Sequence, residues 1–193
     1  MRIDQGRLLL ETVDNNPAPG GFTPSNFSQS NLTSIILGGG VLEVRGAREG
    51  NINQNFGSQL IVDAGATTVK VTSVEGYDPN NLLALPPFRS AALTLMGQEE
   101  LTDVLRYAGG TVHFVENPEG EDAGGANIFL LLPQNDRQRL LPWATYQDTT
   151  QTTRPGVNHF ATVDTNNGAV ISADDASLYD LGPIFMTPIG WEA

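Results

Sequence analysis

Apolar and polar residues alternate along many short segments of the chain, a period of two that is typical of β-strands with one buried face. In positions 67–75 (TTVKVTSVE), Val69 and Val71 fall on one face and Lys70 on the other. Glycines and prolines interrupt the pattern often, which favours strands over helices. The pattern predicts strands over 33–37, 41–45, 59–62, 67–75, 91–96, 111–116 and 127–132.

Two further segments complete the predicted architecture. Positions 159–172 predict a hairpin, because Asn167-Gly168 tolerates the positive φ angles of a tight turn. Positions 98–108 predict one short helix, with apolar residues at helical spacing and a Gly-Gly pair to end it. The run Gly38–Gly40 predicts a tight connection between two strands. Many short strands with one helix indicate an all-β fold, for which a single jelly-roll β-sandwich or barrel is our expectation.

The chain has 193 residues, which is enough for one well-buried core and too few for two ordinary domains. We therefore expect one β-barrel domain over 1–193. Positions 14–34 are rich in turn-forming residues and amides, with Phe22 and Phe27 as isolated apolar residues. This segment is either a long loop or an extended arm that lies on a neighbouring subunit.

The charge of the chain is strongly acidic, with 22 Asp and Glu against 10 Lys and Arg and a net charge of −12. Such a field repels phosphate backbones, so we expect no direct nucleic-acid partner. Lys70 is the only lysine. Many carboxylates with almost no lysine favour a halophilic protein, kept soluble in molar salt, where charge repulsion is screened within about 3 Å. The alternative is an ordinary acidic protein that has few lysines by chance.

Residues that carry chemistry are few. Cysteine is absent, and the two histidines, His113 and His159, have no companion motif for a hydrolase or a zinc site. Structural roles are expected for both. The Gly38–Gly40 run matches neither a P-loop nor a dinucleotide-binding fingerprint. The sequence therefore predicts no enzyme, no catalytic residues, no metal site and no cofactor.

Large aromatic residues are candidates for subunit contacts, and the proline-containing corners over 83–90 and 140–146 suit such contacts. The residues we select on this ground are Phe22, Phe27, Phe88, Trp143 and Trp191. In its size, acidity, shortage of lysine and β pattern, the chain resembles the small major capsid proteins of internal-membrane-containing icosahedral viruses of halophilic archaea. That resemblance implies a single jelly roll standing vertically on a capsid, several copies per capsomer, and a second coat protein as partner.

The expected function is therefore that of a structural coat protein that assembles into a viral shell and is located in the virion. Contact with an internal viral membrane is expected only through other proteins. Two alternatives stay open. One is a decoration, spike or tail component of a virus, and the other is an extracellular carbohydrate-binding β-sandwich.

Overall fold

The computed structural model describes residues 1–11, 34–46, 51–56, 59–75, 90–95, 104–119, 125–133, 137, 139–149 and 158–173. Every regular element in these ranges is a β-strand. The strands are β1 (Arg2–Ile3), β2 (Arg7–Glu11), β3 (Ser34–Leu37), β4 (Gly40–Arg45), β5 (Ile52–Phe56), β6 (Gln59–Val62), β7 (Gly65–Val74), β8 (Ala91–Leu95), β9 (Leu105–Arg106), β10 (Gly110–Glu119), β11 (Ala126–Leu130), β12 (Leu141–Asp148), β13 (His159–Val163) and β14 (Val170–Ser172).

The strands form three sheets, and nine of their eleven pairings are parallel. The first sheet has the order β1-β3-β6-β9 and the third has the order β11-β8-β5. The second has the order β14-β13-β12-β10-β7-β4-β2. Along the chain, successive coils therefore place their strands in the sheets in the same order, and each coil stacks on the one before. This arrangement is a parallel β-solenoid.

Side chains stack in columns inside the solenoid, because its parallel strands are in register. One inward column of the second sheet is formed by Leu8, Leu42, Val69, Phe114 and Tyr146. The three central members of this column have no exposed surface. Burial of one such side chain contributes about 1.5–3 kcal/mol, so each coil is stabilised by the coils on either side of it.

A glycine with positive φ follows each strand of the first sheet by three residues. The four are Gly6, Gly40, Gly65 and Gly109, with φ between 76° and 133°. At Gly65 a side chain would also overlap the carbonyl oxygen of Gly38 in the neighbouring coil, so the turns can stack only with glycine there. The tight connection expected at Gly38–Gly40 is confirmed, since it joins β3 to β4.

The all-β prediction is confirmed, but the jelly-roll topology is wrong for the described strands. A jelly roll is built from antiparallel strands, whereas antiparallel strand pairs occur here only among β12, β13 and β14. The helix expected over 98–108 is wrong in its second half, where Leu105–Arg106 form β9. Positions 98–103 lie outside the described residues.

The hairpin predicted over 159–172 is confirmed as β13 and β14. Its turn is wider than the expected two-residue type, because the N–H of Asp164 donates to the carbonyl of Ala169 and encloses four residues. Gly168 supplies the positive φ, at 78°. The segment 14–34 lies outside the described residues except for Ser34, and a single domain over 1–193 stays a prediction.

Candidate functional site

Of the five predicted contact residues, only Trp143 lies in the described part of the chain. It is half-buried on β12 and packs against the hydrophobic core. Phe22, Phe27, Phe88 and Trp191 lie outside the described residues. A role of any of the five in subunit contacts stays a prediction.

The two histidines both lie in strands of the second sheet. The Nδ1 atom of His113, on β10, is 2.8 Å from the Oγ1 atom of Thr145, on β12. These two residues are register partners, so the contact ties adjacent coils together. This agrees with the structural role expected for His113. His159 is the first residue of β13 and is half-buried.

The C-terminal end of the stack is covered by the hairpin of β13 and β14. β13 runs antiparallel to β12 and so ends the parallel series of the second sheet. At the edge of the third sheet, the N–H of Leu130 donates to the carbonyl of Gly168 over 2.8 Å, and Phe129 forms a bridge with Ala169. The hairpin therefore occupies edge positions where a further coil would pair.

A carboxyl group joins β10 to the last parallel strands of the second and third sheets beneath this hairpin. Glu116, on β10, accepts a 2.6 Å hydrogen bond at Oε1 from the N–H of Ile128 in the edge strand β11. Its Oε2 atom accepts a 2.7 Å hydrogen bond from the hydroxyl of Tyr146 on β12. Asp148 is the register partner of Glu116 in β12. We call Glu116, Tyr146 and Asp148 the carboxyl cluster.

Burial raises the pKa of Glu116 to about 7 from its ordinary value of 4.5. The hydrogen bonds from Tyr146 and Ile128 oppose this rise, whereas the charge of Asp148 adds to it. Glu116 therefore exchanges its proton near neutral pH. Because the two oxygens of Glu116 accept hydrogen bonds from β11 and β12, the state of this proton affects the stability of this end of the stack.

The opposite end of the stack has an open strand edge. β2 pairs with β4 on one side, and no strand in the described ranges pairs with its other side. The carbonyl of Gly6 accepts a 2.8 Å hydrogen bond from the N–H of Val41, so the backbone groups of Leu8 and Leu10 also face β4. By the same alternation, the backbone groups of Arg7, Leu9 and Glu11 face the open edge.

A charged group lies on the outer face of the second sheet beside this edge. Glu43 is only 3% exposed and accepts hydrogen bonds from Nε and Nη2 of Arg7 over 2.9 and 2.5 Å. The hydroxyl of Thr72 donates to it over 3.2 Å, and Lys70 Nζ lies 3.9 Å from its other oxygen. We call Arg7, Glu43 and Lys70 the cationic group, because two positive charges share one carboxylate.

Sequence reasoning missed both the carboxyl cluster and the cationic group. The sequence does contain a signal for the cationic group, because Glu43 interrupts the apolar run VLEVR at the centre of a predicted strand. A carboxylate in such a position needs a cation close to it. The partners of Glu43 and Glu116 come from strands distant in sequence, so only the topology brings them together.

Comparisons with known proteins identify no relative. No protein-family model matches the chain, and neither a curated protein nor a solved structure matches it. In the described part of the chain there is no helical stretch with the length and apolar character of a membrane span. Among the same residues, no three side chains of the types that bind metals are grouped as a metal site requires.

Proposed function

We propose that this chain is a structural protein whose activity is self-association, as a component of a viral particle. The observation that carries the proposal is the open edge of β2, which ends the parallel series of the second sheet. Among the described residues no strand pairs with that edge, whereas the other end of the parallel series is followed by the antiparallel hairpin of β13 and β14. Open strand edges are templates for pairing with another chain, and covered ends prevent it.

The form of the assembly follows from the stacking of coils. A jelly roll was the basis for the expected vertical coat subunit, and the parallel pairing removes that basis. A solenoid extends along one axis as coils are added. Of the viral roles expected from the sequence, we therefore propose a decoration, spike or tail component ahead of the shell subunit. The protein associates with itself, and in the particle with a second structural protein.

The acidic composition supports an assembly that works in high salt. The net charge of −12 opposes the approach of two copies in dilute buffer, where charges interact over about 10 Å. In molar salt this distance falls to about 3 Å, so short-range pairing and apolar contacts dominate. The proposal therefore includes salt-dependent association.

Sedimentation velocity of the purified chain in about 0.1 M and in molar salt tests the proposal. We expect species larger than the 20.6 kDa monomer, with a larger fraction at high salt. Particle-derived material should contain the protein in many copies, visible by electron microscopy as a repeated feature. A chain that stays monomeric in both buffers, or one that binds a sugar saturably as a monomer, would contradict a structural role.

A further inference from the structure

We propose that two copies of this chain associate through the open edge of β2, pairing antiparallel about a two-fold axis at Leu9. This inference rests on the proposed function, because it identifies the surface through which the protein self-associates. The two-fold axis makes the contact isologous, so the same strand serves both copies and the dimer is closed.

The backbone of β2 is arranged for this pairing. Arg7, Leu9 and Glu11 direct their N–H and C=O groups to the open edge, as the bond from Val41 to Gly6 establishes. In an antiparallel ladder, opposite residues that face one another exchange two hydrogen bonds. A ladder centred on Leu9 has three such residue pairs, and so forms about six hydrogen bonds.

The sequence of β2, RLLLE, is self-complementary about the same axis. Antiparallel pairing puts Arg7 opposite Glu11 of the second copy, and Leu8 opposite Leu10 of the second copy. Leu8 and Leu10 already pack against the core and are only partly buried, so the pairing continues the core across the interface. Opposite charges and aliphatic side chains are favourable cross-strand pairs.

The cationic group makes this edge attractive to an acidic partner. Arg7 remains 52% exposed while it holds Glu43, and Lys70 adds a second positive charge beside the same carboxylate. The group thus carries a net positive charge in a chain whose net charge is −12. Moreover, β2 contains neither proline nor lysine, the residues by which many proteins block an exposed edge.

Leu9→Pro tests the backbone pairing with little effect on the fold. The N–H of Leu9 faces the open edge, so proline removes a donor that β4 does not use. We expect the wild type to sediment as a dimer of about 41 kDa, twice the 20.6 kDa monomer. Leu9→Pro should weaken this dimer by about tenfold or more. Leu9→Ala is the matched control, because it keeps the N–H, and its dimer should persist.

Leu9→Lys gives a second readout that does not depend on proline. It puts two positive charges opposite one another at the axis, which destabilises the pair. The dimer should be lost at low salt and partly recovered in molar salt, where the repulsion is screened. Circular dichroism of each variant establishes that the β-structure is retained.

Disulfide crosslinking locates the axis, since the chain has no cysteine of its own. In a hydrogen-bonded antiparallel pair the Cα atoms are about 5.5 Å apart, which a disulfide can span. Leu9→Cys oxidised with diamide should therefore give a covalent dimer. Leu10→Cys is the control, because residues 10 of the two copies are offset along the ladder, and it should remain uncrosslinked.

The outcomes separate this inference from the proposed function. A wild type that forms no dimer in either salt condition overturns both. A wild-type dimer that Leu9→Pro and Leu9→Lys leave intact, and that Leu9→Cys does not crosslink, overturns the β2 interface and leaves self-association standing. If Leu9→Pro loses its β-structure, the Leu9→Lys titration and the crosslink decide the question.

Discussion

Replacement of Glu116 by glutamine should change how the stability of the protein depends on pH. Glutamine has nearly the same shape and can still accept the hydrogen bond from the N–H of Ile128. It cannot ionise. The variant therefore removes the titration of this buried group while it keeps the contact that caps β11.

The magnitude follows from the raised pKa of Glu116, which is about 7 in the folded protein against an ordinary value of 4.5. Below pH 4.5 Glu116 is protonated in both the folded and the unfolded chain, so its ionisation does not change the free energy of unfolding. Between pH 4.5 and 7 the unfolded chain releases the proton and the folded chain keeps it, so folding becomes less favourable as pH rises. The difference between these two pKa values corresponds to about 3 kcal/mol of stability lost by pH 8.

Urea unfolding of the wild type and Glu116→Gln at several pH values between 4 and 8 measures this loss. Carboxyl groups outside the carboxyl cluster keep their surroundings in both proteins, so the difference in the free energies of unfolding isolates this cluster. We expect that difference to move by about 3 kcal/mol in favour of the variant from pH 4 to pH 8. Glu119→Gln removes a partly exposed carboxylate from the same strand and controls for the loss of one charge.

Two neighbouring substitutions should move the pH dependence in opposite directions. The hydroxyl of Tyr146 lowers the pKa of Glu116, so Tyr146→Phe should raise it and extend the loss of stability to higher pH. The charge of Asp148 raises that pKa, so Asp148→Asn should lower it. If the free-energy difference between the wild type and Glu116→Gln is the same at every pH, the buried-proton account is refuted.

Three further predictions concern the turns, the cap and the solvent. Gly65→Ala should destabilise the protein by more than about 2 kcal/mol in thermal or urea unfolding, since the new Cβ meets the Gly38 carbonyl. Gly109→Ala has open space around it and should cost only the backbone strain, about 1–2 kcal/mol. Asp164→Ala should cost about 1 kcal/mol, because its side chain accepts hydrogen bonds from two N–H groups of the hairpin turn. A fall from molar to about 0.1 M salt should weaken folding by circular dichroism, and indifference to salt would exclude the halophilic interpretation.

The positions of the strands could be read from the sequence, because alternation of apolar and polar residues is a local property. The strand expected over 59–62 coincides with β6, and that over 67–75 overlaps nearly all of β7. Both central valines of β7, Val69 and Val71, are buried as the pattern predicts. Alternation, however, does not reveal which strands pair or in which direction.

The solenoid was missed because connections of unequal length hide its repeat. Strands of the first sheet begin at positions 34, 59 and 105, so no constant period appears in the sequence. The signal that persists is a short apolar strand followed after three residues by glycine, at Gly6, Gly40, Gly65 and Gly109. A search for that unit with variable spacing would have predicted coils.

Two local predictions are wrong because the pairing of strands between stacked coils outweighs the local conformational preference of the residues. Leu105–Arg106 carry helical spacing with their neighbours, but in the structure they pair with Ile61 and Val62 as the next coil of the first sheet. The proline in positions 140–146 predicts a corner, and instead most of these positions form β12. Pro142 is accommodated there because the register of β12 and β13 shifts between Leu141 and Thr145.

Charge placement links the two sites that the sequence did not reveal. A parallel stack puts register partners about 4.8 Å apart, so an acidic column repels itself unless cations interrupt it or a proton neutralises it. Glu43 has Lys70 as its register partner, so a cation compensates the carboxylate there. Glu116 has Asp148 as its register partner, the one acid–acid pair in register between the described strands. Burial, to which the charge of Asp148 adds, raises the pKa of Glu116 to about 7, so a proton neutralises the carboxylate there. An acidic chain built this way can accept a further strand only where the charges alternate, a condition that an antiparallel RLLLE pair satisfies.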